Sequence, residues 1–199
     1  PIAPFFDLFY MGEGEVVYDE LLDLYREHKE AGGDRASFLK KVASLPGIYV
    51  PAFYEPEYHE DGTLAAFKPL CPEAPVKVRR LVMSVLDRAD FIDNPLVPFI
   101  RVTQDRSVLE LMRGCIRGCR FCQAGNVYRP QREHSVDYLK RYAEKLLKIT
   151  GNEEISLSSL SSSDYSHLQE FLEYLIQYTK ERKINISLPS LRIDAFSLD

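Results

Sequence analysis

The 199-residue chain has no run apolar enough to cross a bilayer as a helix. It shows no charged-then-apolar leader of the secretory kind. These absences point away from a membrane partner. The chain also lacks an excess of positive charge: 25 Lys/Arg stand against 30 Asp/Glu, a net charge of −5. That balance argues against nonspecific nucleic-acid binding by the chain as a whole. Cysteine is scarce, with four residues, and no initiator methionine opens the chain. Clustered, oddly spaced thiols without a secretory leader fit a reducing cytoplasm. Otherwise the composition is that of an ordinary globular chain, and the length suits one or two domains.

What is present is concentrated in one stretch, Arg113-Gly114-Cys115-Ile116-Arg117-Gly118-Cys119-Arg120-Phe121-Cys122-Gln123-Ala124-Gly125. Three of the four cysteines are spaced C-x3-C-x2-C. Val108 to Met112, apolar except for Glu110, predicts a strand leading into them. Thiolates are soft ligands that suit iron–sulfur clusters or zinc. Three of them leave one iron of a four-iron cluster open, whereas a structural zinc site wants a fourth ligand. His134, in a C-x3-C-x2-C-x11-H spacing, is the candidate for a zinc-binding, RNA-contacting module. Cys71, between Leu70 and Pro72, is expected to be a structural free thiol.

The cysteine spacing, Phe121 ahead of the last cysteine, Gly114, Gly118 and the Arg-Phe-Cys-Gln-Ala-Gly run resemble the radical S-adenosylmethionine (SAM) superfamily. The resemblance is to its subset with a cobalamin-binding-like domain ahead of the barrel. It implies that Cys115, Cys119 and Cys122 hold a 4Fe–4S cluster. It also implies SAM as second cofactor, cleaved reductively to a 5′-deoxyadenosyl radical, and a flavodoxin- or ferredoxin-type electron donor. The turn Gly12-Glu13-Gly14-Glu15 resembles the last strand-to-helix turn of the cobalamin-binding-like domain. The usual cobalamin histidine motif is absent from this stretch, so cobalamin is an expectation for a longer protein only. A catalytically inactive, scaffold-like relative is the other alternative.

Along the chain, residues 5–11 predict a buried strand and Val16 to Glu30 a helix with Val17, Leu21, Leu24 and Tyr25 on one face. Ser37 to Ser44 follows as a short helix opened by Asp34. Ile48–Tyr58 and Thr63–Leu70 predict a hairpin turned by His59-Glu60-Asp61-Gly62, and Val76–Val85 a third strand. Asp93 to Pro98 is the best linker. After the cysteine loop, Tyr128 to His134 predicts irregular backbone. Ser135 caps a helix closed by Gly151, Ile155 to Leu160 is a strand, and Leu168 to about Arg182 is a helix. Ile184 to Leu188 is a third strand of a βαβαβ unit, hence a parallel sheet. The expected fold class is α/β, a partial radical-SAM (βα) barrel preceded by the end of a Rossmann-like domain and a β-linker. The segments are 1–46 for the Rossmann-like part, 47–95 for the linker and 96–199 for the first half of the barrel. The chain is expected to begin and end mid-fold and, alone, not to be a competent catalyst.

Sites in parallel α/β folds lie at the carboxyl ends of strands. There the resemblance implies SAM contacts. Ser161, Ser162, Ser163 and Asp164 stand where the family has a Gly-Gly-Glu-like segment for the SAM ammonium. Serine oxygens accept its hydrogens and Asp164 supplies charge, with a helix N-cap as the competing role for Asp164. Ser187, Ser190 and Arg192 follow the third strand, Arg192 as carboxylate partner. Phe121 is expected against cluster or adenine, and His134 and His167 as surface or cap residues. From Arg113 to Arg141, seven Lys/Arg (113, 117, 120, 129, 132, 140, 141) face two acids, Glu133 and Asp137. That excess suits an anionic cluster and SAM carboxylate, or an anionic substrate such as RNA.

Overall fold

The structure is a computed structural model and describes residues 2–89, 92, 94–100 and 102–195. The chain divides into two compact units, Pro1–Met83 and Ser84–Asp199. The expected linker, Asp93 to Pro98, falls within the second unit, and Asp93 lies outside the described residues.

In the first unit, β1 (Phe9–Tyr10) leads through a single 3-10 turn, Gly14–Val16, to α1 (Tyr18–Glu30) and α2 (Arg35–Ala43). β2 (Ile48–Tyr49) then pairs antiparallel with β1. Val42, Ala43, Ile48 and Val50 are buried, and Leu21, Leu24 and Phe38 pack on them. Asp34 opens α2 as expected, its carboxylate accepting the Ser37 N–H at 2.7 Å. The predicted strand over 5–11 shrinks to Phe9–Tyr10, because β2 offers only two residues of backbone to pair with. Phe5, Phe6 and Met11 are exposed.

β3 (Tyr54–Tyr58) and β4 (Leu64–Pro69) form the expected antiparallel hairpin, with Gly62 at φ +80° in its turn. Tyr54 stacks on Phe67 with ring centroids 5.0 Å apart. Val76–Val85 is not a strand. Among the described residues it offers one bridge, Gly12 to Leu81, and Val76 is exposed. Gly12 permits that approach, since a Cβ there would stand 2.5 Å from the Leu81 carbonyl oxygen. Glu13 completes it by accepting the Met83 N–H at 2.9 Å.

The second unit carries the α/β architecture that the sequence pattern predicts. β5 (Ser107–Glu110), β8 (Glu154–Ser158) and β9 (Asn185–Ser187) form a parallel sheet in the order β5-β8-β9. Between β5 and β8 come β6 (Met112–Arg113), the single turn α3 (Ala124–Val127), β7 (Arg132–Glu133) and α4 (Val136–Thr150). Between β8 and β9 comes α5 (Leu168–Lys180). Ser135 caps α4 by accepting the Tyr138 N–H, and Gly151 ends it at φ +67° in the left-handed region. Leu109, Leu139, Ile155, Leu157, Phe171 and Leu175 are fully buried between helices and sheet. Each such side chain stabilises the fold by ~1.5–3 kcal/mol relative to exposure. The core thus fixes the carboxyl ends of β5, β8 and β9 on one rim, and the loops that leave that rim carry the polar residues.

Candidate functional site

The cysteine loop is anchored at its base by a fork in the first strand. Leu111 donates its N–H to the Ser158 carbonyl at 2.9 Å, and its own carbonyl accepts the His134 N–H at 3.0 Å. From there β6 leaves the sheet and pairs antiparallel with β7, Met112 opposite Glu133 and Arg113 opposite Arg132. The stretch read as irregular, Tyr128 to His134, therefore contains a strand, because it must close a loop that begins at the other end of the same pair. Gly114 sits at φ +86°, where a Cβ would be 2.6 Å from the carbonyl oxygens of Tyr128 and Pro130. Only glycine fits that closure.

Inside the loop, Cys119 is exposed and Cys115 and Cys122 are partly buried. The Cys122 N–H bonds the Cys119 carbonyl at 3.0 Å, and the Arg117 N–H approaches the Cys115 sulfur at 3.4 Å. Gly125 lies under the loop, where a Cβ would be 3.2 Å from the Arg117 carbonyl and 4.0 Å from the Cys122 sulfur. Among the described residues no three His, Cys, Asp or Glu side chains converge as a single-ion site. The donor set nonetheless fits an iron–sulfur cluster: three soft thiols share one closed loop, and Cys71 belongs to the other unit. Gathering thiolates is itself a step that metal binding drives.

The loop after β8 faces this one through charge. Arg117 reaches the Asp164 carboxylate with both arms of its fork, Nε to Oδ2 at 2.9 Å and Nη2 to Oδ1. Arg192, after β9, bonds Oδ1 from Nη1 at 3.0 Å, and the Ser161 hydroxyl donates to Oδ2 at 2.8 Å. The Asp164 side chain is only 5 % exposed. The Arg117 hydrogen bonds, helped by Ser161 and by the two guanidinium charges, outweigh burial and lower its pKa to about 2. Asp164 is not a helix N-cap, since that position at α5 belongs to His167. The second arm of Arg192 holds the exposed Asp194, and its N–H bonds the Ser163 hydroxyl at 3.0 Å.

The other expected residues fall as follows. Ser161 and Ser162 are buried, and the Ser162 N–H bonds the carbonyl of Ser190, which joins the loops after β8 and β9. Ser190 sits at φ +61°, a strained conformation for a side-chain-bearing residue. Ser187 ends β9. Phe121 is 92 % exposed. His167 is exposed, as expected. His134 is not a surface residue. It is buried, its Nδ1 pairs with Asp87 Oδ1 at 3.0 Å, and its ring stacks on Tyr138. That placement commits it to the core and removes the fourth ligand from the zinc pattern. Among the clustered cations, Arg113 is held by Glu110, Arg117 by Asp164 and Lys140 by Glu170.

Three residues join the site that the sequence does not single out: Arg117, Gln131 and Glu133. Gln131 donates to the Asp164 carbonyl at 3.4 Å and to Glu133 at 2.9 Å, and Glu133 accepts from the Ser166 N–H and hydroxyl. In the sequence Arg117 is one of seven clustered cations, although its place between two cysteines signals a special role. Gln131 and Glu133 gave no such signal, because their function depends on a pairing that spacing does not reveal.

Residues 1–51 match the family model described as Radical SAM proteins, N-terminal, and residues 109–198 match the one described as Radical SAM superfamily. Together the two matches span well over half of the chain. An uncharacterized protein of Methanocaldococcus jannaschii is 26% identical over 205 positions, covering 100% of this chain and 36% of that protein. The chain therefore spans little more than a third of the length of that relative.

Proposed function

We propose, because the chain belongs to the radical SAM superfamily, that Cys115, Cys119 and Cys122 hold a 4Fe–4S cluster and that the rim beside them binds SAM. A cluster held by these thiolates would supply the electron for reductive cleavage of SAM to a 5′-deoxyadenosyl radical, with a flavodoxin- or ferredoxin-type protein as donor. This chain's residues bind and orient. Arg192 takes the SAM carboxylate in exchange for Asp194, an exposed partner whose ion pair is worth little. Oxygens of Ser161, Ser162 and Ser163 accept from the ammonium, with the Asp164 charge behind them. Ser187 and Ser190 serve the ribose, and Phe121 covers the adenine.

The observation that carries this reading is one juxtaposition. A three-thiol loop leaves the carboxyl end of β5, and its Arg117 meets Asp164 from the loop after β8, which in turn holds Arg192 from beyond β9. The family matches support the segment reading as well. They cover 1–51 and 109–198 and pass over the hairpin between them. We read residues 1–46 as the end of a cobalamin-binding-like domain, 47–95 as a β-rich linker and 96–199 as the first half of a barrel. The Gly12–Glu15 turn alone speaks for cobalamin, in a longer protein. Among the described residues no helix is long and apolar enough to cross a membrane; a cytoplasmic setting is part of the proposal. The substrate is not identified. The excess of positive charge around the loop would suit an anionic substrate such as RNA.

The test is anaerobic reconstitution of the intact protein with iron and sulfide analysis. About four irons per chain and 5′-deoxyadenosine formed from SAM under reductant are expected. Stoichiometric zinc that resists iron would overturn the cluster, and a loaded cluster without 5′-deoxyadenosine would leave the scaffold-like alternative.

A further inference from the structure

The Asp164 carboxylate is full. A carboxylate has about four lone-pair sites, and here Oδ1 accepts from Arg117 and Arg192 while Oδ2 accepts from Arg117 and Ser161. A group so occupied is poorly placed to grip a further cation directly. It is well placed to hold its partners. Arg117 projects from the middle of the cysteine loop, 47 residues earlier in the chain, and is fixed at both ends. Its fork is on Asp164, its carbonyl accepts the Arg129 guanidinium at 3.1 Å, and that carbonyl lies on Gly125, where a Cβ would intrude. The Asp164 carbonyl is tied separately to Gln131, at the far end of the same loop.

We infer that Arg117 and Asp164 form a clamp that holds the cysteine loop in register with the loop after β8, both acting as positioning residues and neither as a direct SAM contact. The inference rests on the proposed reading in one respect: the cysteines hold the cluster and Arg192 meets the SAM carboxylate. The clamp pulls on each side. It draws the thiol loop over the rim and fixes one arm of Arg192, leaving the arm on exposed Asp194 to be exchanged. A two-armed guanidinium–carboxylate contact sets angle as well as distance, which suits a positioning role.

Competing roles for Asp164 differ in the sign of one measurement. If Asp164 gripped the ammonium itself, Arg117 would be its competitor, and Arg117→Gln would tighten SAM binding. A clamp predicts the reverse. In the intact, reconstituted protein, Arg117→Gln should keep full iron content but weaken SAM binding about tenfold, with Arg117→Lys recovering part of the loss because it restores charge without the fork. Asp164→Asn should weaken binding similarly, and the double variant should be no worse than the worse single one, since both remove one interaction. In the protein before iron is added, amide exchange from Gly114 to Tyr128 and from Ser161 to Ser166 should quicken together in either variant. Unchanged exchange, additive losses, or tighter SAM binding in Arg117→Gln would each overturn the clamp. Failure of the wild-type protein to load iron would instead refute the cluster reading, and the exchange experiment would still decide the clamp.

Discussion

The sheet framework and the cysteine loop of the second unit are built on opposite principles. In the framework, Leu109, Ile155, Leu157, Phe171 and Leu175 are wholly buried, and burial of apolar surface supplies the order. In the loop, Ile116 and Phe121 are exposed, Gly114 is forced into the left-handed region, and what holds the segment is a strand pair at its base and a charge clamp near its middle. The framework is therefore indifferent to metal and sensitive to volume. The loop is indifferent to volume and sensitive to charge and ligands. A cofactor-binding loop benefits from this division, since its groups stay able to move onto a ligand while the rim beneath stays fixed.

The sharpest way to break the comparison is at the thiols. Serine at any one of Cys115, Cys119 or Cys122 should abolish iron loading while circular dichroism shows the fold retained, whereas Cys71→Ser should load normally. Iron lost on Cys71→Ser would show that the ligand set is wrong. The opposite manipulation is Phe171→Ala. It should lower stability by ~3–5 kcal/mol, read from denaturant midpoints, because it leaves a cavity against both neighbouring layers. The protein that remains folded should still bind iron fully. A drop in iron stoichiometry among folded molecules would mean that loop and framework are not separable.

The smallest expected effect concerns the buried imidazole of His134. Burial pushes the His134 imidazole below its ordinary pKa of 6.5, and the Asp87 bond only partly opposes this. The folded state thus resists a proton that the unfolded chain accepts. Stability contributed by neutral His134 is present above pH 6.5 and is lost as pH falls from there toward the lower folded value. Thermal midpoints should decline between pH 7.5 and 5.5 in the wild type and decline less in His134→Gln. Equal slopes would show that other groups govern that range.

Local chemistry carried far in this chain. The α4 stripe, its Ser135 cap and Gly151 stop, the Asp61-Gly62 hairpin and the apolar run at β5 are all patterns among residues a few positions apart, and each element appears where the pattern predicts it. The three cysteines, their glycines and Phe121 likewise sufficed to indicate the superfamily, because ligand spacing within one loop is a local property. Where prediction failed, the deciding contact was remote. Val76–Val85 is apolar enough for a strand, but among the described residues its one bridge is to Gly12. His134 is polar and follows a charged run, yet Asp87, 47 residues away, gives it a buried partner.

The sequence by itself determined the thiol loop, the βαβαβ order and the candidate rim. Tertiary structure alone decided that β6 and β7 close the loop, that Asp164 serves two arginines rather than a helix end, and that His134 belongs to the core. The physical reason is the same in each case. Helices, turns and ligand loops are set by short-range sterics and hydrogen bonding, whereas a carboxylate's partners are set by which loops the packed sheet brings to one edge.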